Sequence, residues 1–166
     1  MPPVPTGVEL WCDLICPDCS AILDDLEALQ RRVELRFRHF PLVSHTWAVP
    51  AAQVAEEGRV QGVLWPVVHA ILSGNDEVSS PDDLVVMAQR GGASPTAVRR
   101  ALADGRHAGA VARDYREGRA FGITGTPTFV VQGPGGPVRL DGGRSQEGLV
   151  EAVEALLDVF AEYPPD

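Results

Sequence analysis

The chain has 166 residues, 45% of them hydrophobic and 22% charged, which fits one globular domain, with or without an insertion, and excludes a disordered chain. Its 14 basic and 23 acidic residues give a net charge of −9, which disfavours binding to nucleic-acid phosphates or anionic membranes. The three cysteines, Cys12, Cys16 and Cys19, are too few for a disulfide framework, but their clustering is the main clue to function.

The N-terminal part of the chain predicts a strand–helix–strand unit. Residues 8–15 are mostly apolar and predict a buried strand, whereas residues 33–40 alternate apolar and polar side chains and predict a second strand. Between them, residues 22–29 carry apolar side chains at helical spacing. Because the connections are short, we expect the two strands to be parallel, with a right-handed crossover.

The middle of the chain predicts a run of helices with clear boundaries. Ser80, Pro81 and Asp83 have the pattern of a helix cap, a first-turn proline and a capping-box acid, and Ser94-Pro95 is a second helix start. The predicted helical segments are residues 48–60, 64–72, 81–90, 95–104 and 108–120.

The C-terminal part returns to β-structure. Residues 126–132 and 137–140 predict two strands joined by a Gly-rich turn, which makes a hairpin. Ser145 is expected to cap a final helix, and the tail at residues 163–166 is expected to fray. The elements together predict an α/β fold with one four-stranded mixed sheet and helices on its faces.

Cys16-Pro17-Asp18-Cys19 stands where the first strand meets the first helix. The unpaired N–H groups of a first helical turn favour a thiolate, so we expect a lowered pKa at Cys16. Cys19 follows one turn later, close enough to form a disulfide with Cys16. We therefore expect an exposed Cys16 that attacks a substrate disulfide and a shielded Cys19 that resolves the mixed disulfide.

A second candidate segment is Gly125-Thr126-Pro127-Thr128-Phe129. A proline at the mouth of a strand fits an edge or a cis turn better than the interior of a ladder. A cis bond before Pro127 would leave the backbone N–H and C=O of Thr126 free to pair with an extended substrate segment beside Cys16.

These segments resemble DsbA-like members of the thioredoxin superfamily over nearly the whole chain. The matching pieces are Asp13-Leu14-Ile15-Cys16-Pro17-Asp18-Cys19, Arg38-His39-Phe40-Pro41-Leu42 with His45, the Ala51-Ala52 helix, Gln61-Gly62 with Trp65, and Gly122-Ile123-Thr124-Gly125-Thr126-Pro127-Thr128-Phe129. The resemblance implies a thioredoxin fold made of residues 1–44 and 119–166, with residues 45–118 as an inserted helical domain.

The resemblance also implies a function, which is dithiol–disulfide exchange. Cys16 would attack, Cys19 would resolve, and Pro127 would be the cis-proline that shapes the substrate shelf with Thr126. Because the cysteine pair carries the electrons, no metal or organic cofactor is expected.

Two positions depart from the family pattern. Strong oxidants of the family have His where this chain has Asp18, and a carboxylate there raises the pKa of a neighbouring thiol. With Pro17 and Asp18 setting the redox poise, we expect a potential nearer that of thioredoxin, roughly −270 mV, than that of DsbA, roughly −120 mV. Leu10 stands where family members often bury a carboxylate, so this chain has no acid at that place.

Three further residues have simpler interpretations. Cys12 fits a packing role inside the first strand better than the role of a regulatory third thiol. His39 and His45 are expected to make structural hydrogen bonds near a strand end rather than to react.

Three other classes of function compete with this hypothesis. Cys12-x-x-x-Cys16-x-x-Cys19 has the spacing of radical-SAM iron–sulfur sites, although the chain has too few βα units for their barrel and carries Asp18 where an aromatic residue is usual. A thioredoxin-like binding or chaperone module without redox chemistry is disfavoured because both thiols of the pair are retained. A zinc site lacks paired ligand spacing.

The expected partners are protein disulfides or mixed disulfides with a small thiol, together with an unidentified redox partner, and neither nucleic acid nor a membrane. No apolar run approaches the roughly 20 residues that cross a bilayer, and residues 1–7 do not resemble a secretory signal. These features predict a cytoplasmic reductant or isomerase. If a leader was removed, an extracytoplasmic oxidase becomes the better interpretation.

Overall fold

The computed structural model describes residues 7–142 and 148–162. The described strands are β1 (Val8–Cys12), β2 (Leu35–His39), β3 (Thr128–Gly133) and β4 (Gly136–Asp141). They form one sheet in the order β2-β1-β3-β4, in which β1 is parallel to β2 and the other two pairings are antiparallel. The predicted α/β class and mixed four-stranded sheet are therefore confirmed.

Helices surround this sheet. The described α-helices are α1 (Pro17–Ala21), α2 (Leu23–Gln30), α3 (Ala48–Val60), α4 (Leu64–Leu72), α5 (Pro81–Arg90), α6 (Pro95–Asp104), α7 (Ala108–Ala120) and α8 (Leu149–Glu162), with a 3-10 helix at Asn75–Glu77. Helices α3 to α7 follow β2 and precede β3, as the sequence predicts. The division into domains at residues 45 and 119 stays a prediction.

Short local signals set the helix boundaries in this region. The Ser80 hydroxyl accepts the N–H of Asp83, and the Asp83 carboxylate accepts the N–H of Ser80, so α5 begins with a complete capping box. The Ser94 hydroxyl accepts the N–H of Ala97 and caps the start of α6 without a reciprocal acid, and the C-cap of α6 is Gly105, whose φ of +64° lies in the left-handed region. The predicted bounds of α5 and α6 are confirmed.

The structure differs from the predicted elements at the first strand and first helix. β1 ends at Cys12 rather than at residue 15, because the next residues turn and Asp13 Oδ1 accepts the N–H of Ile15 at 2.8 Å. The first helix is interrupted at Ile22, which has φ −96° and ψ 5°. The predicted cap at Ser145 and the tail at residues 163–166 lie outside the described residues.

The two faces of the sheet are packed differently. Leu10 and Cys12 belong to a large buried cluster that also holds Cys16 and Cys19 and side chains of α2 to α6 and α8. On the other face, Trp11 packs in a small cluster whose buried members are Trp11, Phe40, Ile123 and Val130, with Tyr115 of α7 against them. Side chains along β1 therefore alternate between the two faces, and the cysteines lie on the side of the large cluster.

A buried arginine ties α7 to the sheet. The guanidinium of Arg38 contacts the carboxylates of Glu9, Asp114 and Glu117, and it lies 4.3 Å from the ring centre of Trp11. A buried cation needs such pairing, because an unpaired one would lose its hydration without compensation. Arg38 therefore fixes the position of α7 against β1 and β2.

In the parts of the chain that the structure describes, every helix is too short or too polar to span a bilayer.

We predict that Gly118→Ala destabilises the protein relative to Gly109→Ala in the same helix. A Cβ at Gly118 would lie 2.8 Å from the Trp11 ring and 2.9 Å from the Phe40 ring, whereas a Cβ at Gly109 meets no atom within 4 Å. Both changes gain a similar helix propensity, but overpacking costs about 1–3 kcal/mol. Urea unfolding should give Gly118→Ala a free energy of unfolding at least about 1 kcal/mol below that of Gly109→Ala. Equal values would contradict the described packing of α7.

Candidate active site

Cys16 is the N-cap residue of α1. Its N–H donates to the carbonyl of Asp13 at 3.0 Å, and its own carbonyl accepts the N–H groups of Cys19 and Ser20. Cys16 is 5% exposed and Cys19 is 0% exposed. The expected order of exposure is found, but the expectation of an exposed Cys16 is wrong, because its Sγ faces the carbonyl oxygen of Thr126 at 3.9 Å.

The three cysteines lie in the same buried cluster. Cys19 follows Cys16 in the first turn of α1, and its N–H donates to the Cys16 carbonyl at 3.1 Å. All three are free thiols and all three are buried. The structure thus brings together the predicted pair and adds Cys12 to it.

The environment of the thiols favours their neutral forms. Contact with the Cys19 thiol, together with burial, raises the pKa of Cys16, although hydrogen bonds from the Cys19 backbone and to Thr126 act in the opposite direction. Burial is the main cause that raises the pKa of Cys12 and of Cys19. The expected lowering of the Cys16 pKa is therefore wrong, because the start of α1 does not outweigh desolvation and the neighbouring sulfur.

Pro17 and Asp18 are both exposed. The carboxylate of Asp18 is not among the main causes that raise the pKa of Cys16, which are Cys19 and burial. The pKa of Cys16 is thus raised, which is the direction expected from Asp18. The main causes, however, are Cys19 and burial.

The Thr126–Pro127 bond is cis, as the resemblance implies. Pro127 is buried, and the preceding carbonyl accepts a hydrogen bond from the Cys16 thiol. We expected the Thr126 carbonyl to be free. In the reduced protein it instead accepts a hydrogen bond from the Cys16 thiol. The Thr126 hydroxyl is buried and finds no partner in the described part of the chain.

A buried carboxylate holds the turn before Cys16. Asp13 Oδ1 accepts the N–H of Ile15 at 2.8 Å, and Oδ2 accepts the N–H of Leu42 at 2.9 Å and the Nδ1–H of His45 at 2.8 Å. The Asp13 side chain is 0% exposed. Asp13 therefore joins the cysteine turn to the loop between β2 and α3, a role that its place in the motif did not reveal.

The two histidines near this loop make hydrogen bonds to carboxylates, as expected. His39 Nε2 lies 2.8 Å from Glu56 Oε2, and His45 contacts Asp13. Within residues 7–142 and 148–162, no group of three His, Cys, Asp or Glu side chains is arranged to hold a metal ion.

Asn75 supports the site from the helical segment, and the sequence did not single it out as a site residue. Its side-chain amide is buried and donates to the carbonyls of Leu14 and Cys16, both at 3.1 Å. Asn75 lies shortly after α4 and begins the 3-10 helix at Asn75–Glu77. Nothing local marks it as a partner of the cysteine turn.

Comparison with protein families gives a match to the DSBA-like thioredoxin domain over residues 44–154. The chain belongs to this family. The match begins after the cysteine turn, so the roles of Cys16 and Cys19 rest on their own geometry.

Solved structures of DsbA proteins share the fold. The α-DsbA1 of Wolbachia pipientis has a TM-score of 0.76 at 17% identity and covers 96% of this chain and 87% of its own. BdbD of Bacillus subtilis, in its oxidised form, has a TM-score of 0.75 at 18% identity and covers 97% of this chain and 90% of its own. A probable DsbA oxidoreductase of Streptomyces coelicolor has a TM-score of 0.71 at 21% identity, with coverage of 92% and 90%.

The curated relatives are much longer than this chain. Na(+)/H(+) antiporter NhaA 3 of Salinispora tropica is 34% identical over 133 residues, which are 78% of this chain and 20% of the antiporter. NhaA 1 of Salinispora arenicola is 33% identical over the same shares. The chain spans about a fifth of the length of these relatives.

We predict that Asp13→Asn lowers the stability of the reduced protein while Asp18→Asn leaves it nearly unchanged. Both carboxylate oxygens of Asp13 accept hydrogen bonds, whereas an asparagine side chain has one accepting oxygen and one NH₂ group. At least one N–H donor would therefore face the NH₂ group in a buried site, which lowers the free energy of unfolding by about 1–3 kcal/mol. Asp18 is exposed, where substitutions change stability by roughly 0.5 kcal/mol or less. Urea midpoints of the two variants measure the difference. Coincident midpoints would show that Asp13 does not hold the turn.

Proposed function

We propose that this chain is a thiol–disulfide oxidoreductase that exchanges the Cys16/Cys19 dithiol with substrate disulfides. The observation that carries the proposal is the position of Cys16 at the start of α1, where Cys19 follows in the same turn and the Cys16 thiol donates to the carbonyl before the cis-proline. A nucleophilic sulfur, a resolving sulfur and a backbone segment for substrate binding thus lie within one small region.

The exchange needs no reactant beyond the two disulfides. The Cys16 thiolate attacks one sulfur of the substrate, the substrate disulfide breaks, and its other sulfur leaves as a thiolate that takes up a proton. Cys19 then attacks Cys16, which forms the Cys16–Cys19 disulfide and releases the reduced substrate. The reverse sequence transfers the disulfide to a substrate dithiol.

Cys16 is the better nucleophile of the pair because it keeps the larger exposed fraction and lies before the first turn of α1. Cys19 is fully buried, and its N–H donates to the Cys16 carbonyl in the same turn, which suits a thiol that reacts only within the protein. The raised pKa of Cys16 makes its thiolate scarcer at neutral pH but intrinsically more nucleophilic.

Thr126 and Pro127 would form the shelf on which the substrate lies. An extended substrate segment can add to the backbone at this loop, as a strand adds to a sheet edge. In the reduced protein the Cys16 thiol donates to the Thr126 carbonyl. When Cys16 forms a mixed disulfide, this carbonyl loses its sulfur donor and becomes available to an N–H of the substrate.

The environment of the pair favours a weak oxidant. Burial and the neighbouring Cys19 make the Cys16 thiolate less stable, and a reduced form with a less stable thiolate corresponds to a weaker oxidant. The substrates would be protein disulfides or mixed disulfides with a small thiol. In a reducing compartment the pair would act as a reductant or isomerase, and in an oxidising one as an oxidase.

Insulin reduction in the presence of dithiothreitol tests the proposed activity. The wild type should accelerate insulin precipitation, and Cys16→Ser should show only the background rate, because no mixed disulfide can form. Cys19→Ser should trap the mixed disulfide at Cys16, which mass spectrometry detects. A wild-type rate equal to background and to Cys16→Ser would instead favour the thioredoxin-like binding module.

The redox potential of the pair tests the proposed poise. Equilibration with glutathione should place it nearer roughly −270 mV than roughly −120 mV. Asp18→His should raise the potential, because it replaces a carboxylate by a side chain that stabilises the thiolate, whereas Asp24→Asn on the exposed face of α2 should leave it unchanged. A wild-type value above about −150 mV would overturn the proposed poise.

A further inference from the structure

Asn75 binds the cysteine turn at a carbonyl group that links the two cysteines. The Cys16 carbonyl accepts the N–H of Cys19 at 3.1 Å and the N–H of Ser20 at 3.2 Å. The side-chain amide of Asn75 donates to the same oxygen and to the carbonyl of Leu14, both at 3.1 Å. The orientation of this one peptide group therefore affects how Cys19 lies relative to Cys16.

The helix that carries the pair gains little stability from its own hydrogen bonds. α1 has 5 residues, and its N-cap Cys16 makes no side-chain capping bond. A helix this short is unstable in isolation, because the entropy lost in nucleation outweighs a single turn of hydrogen bonds. At its other end, the Ser20 hydroxyl donates to the Leu72 carbonyl at 2.8 Å. The order of α1 therefore depends on contacts from α4 and from the 3-10 helix that follows it.

We propose that Asn75 is a positioning residue for the step in which Cys19 attacks Cys16 and closes the disulfide. The proposal rests on the proposed function, which supplies the mixed disulfide at Cys16. The Cys19 thiolate attacks the Cys16 sulfur, the bond between Cys16 and the substrate sulfur breaks, and the substrate leaves as a thiolate that takes up a proton. The hydrogen bonds of Asn75 go to backbone carbonyls, so it acts through the backbone that carries the sulfurs.

A fixed turn raises the effective concentration of Cys19 at the Cys16 sulfur. Two groups that are already held in place combine more favourably than two groups that must first lose their freedom of motion. With Asn75 bound to the turn, less conformational entropy is lost when the disulfide closes. The proposal therefore assigns part of the redox poise to a residue that is 59 positions from Cys16 in the sequence and lies between β2 and β3.

Burial makes these hydrogen bonds hard to replace. Asn75 is 6% exposed, so water has little access to the two carbonyls that it binds. A buried carbonyl that loses its donor is destabilised and tends to move toward another partner. We therefore expect the turn to shift or loosen when the amide of Asn75 is removed.

Equilibration with glutathione measures the closing step directly. The protein is incubated in buffers of reduced and oxidised glutathione until the same composition is reached from the reduced and from the oxidised side. Samples are quenched in acid, and mass spectrometry after peptic digestion assigns the mixed disulfide at Cys16 and the Cys16–Cys19 disulfide. Their ratio, at a known concentration of reduced glutathione, gives the equilibrium constant for closure.

The variants of Asn75 should close the disulfide less completely. Asn75→Ala should lower the equilibrium constant for closure at least about tenfold, which corresponds to a redox potential about 30 mV higher. The glutathione mixed disulfide at Cys16 should then accumulate. Asn75→Ser has one hydroxyl hydrogen in place of two amide hydrogens and should give an intermediate constant. If Asn75→Ala does not fold, Asn75→Ser provides the comparison with the wild type.

Gly118→Ala is the control for a general loss of stability. Its added Cβ would meet Trp11 and Phe40 on the opposite face of the sheet, so it strains the fold away from the cysteine turn. It should leave the constant for closure unchanged. The proposal is overturned if the Asn75 variants have the constant of the wild type, or if Gly118→Ala lowers the constant as much as they do.

The outcomes separate the two proposals. A wild type that reduces insulin, with the same closure constant in the Asn75 variants, keeps the proposed function and loses the positioning role. A wild type that forms no Cys16–Cys19 disulfide in the glutathione buffers overturns the proposed function, and the positioning role is lost with it.

Discussion

The carboxylate of Asp13 is the constraint on which the rest of the site depends. A fully buried carboxylate is stable only when its oxygens accept hydrogen bonds, and Asp13 receives them from Ile15, Leu42 and His45. These donors come from two separate parts of the chain, so satisfying one charge also fixes the distance between the cysteine turn and the loop after β2. The position of Cys16, whose N–H binds the Asp13 carbonyl, follows from this arrangement.

Opposing effects determine whether Cys16 is a thiol or a thiolate. The start of α1 and the Cys19 N–H favour the thiolate, whereas burial and the neighbouring Cys19 thiol favour the neutral thiol. Burial and the neighbouring thiol have the larger effect. Leu10 is fully buried in the same cluster as the cysteines. The buried surroundings keep the thiols neutral, which favours exchange with a substrate disulfide over a strongly stabilised thiolate.

Much of the fold could be predicted from the sequence, because its signals are local. The Ser80 capping box, the Ser94 cap and Gly105 depend on neighbours a few residues away, and the hairpin of β3 and β4 was predicted from its turn. The cis bond before Pro127 was expected from the resemblance instead, and the strand order β2-β1-β3-β4 was not predicted. The direction of the Cys16 pKa was missed, since burial of a side chain is a tertiary property that neither motif nor spacing encodes.

The role of Asn75 has a consequence for the order in which the molecule is assembled. This side chain donates to the carbonyls of Leu14 and Cys16 across 61 and 59 residues of chain. During synthesis the cysteines emerge well before Asn75, so the turn that carries them is incomplete until α3 and α4 have been made. A nascent chain that has been made only as far as β2 therefore lacks the hydrogen bonds from Asn75 to the cysteine turn. The cysteine thiols reach their final environment only after the helices that follow β2 have folded.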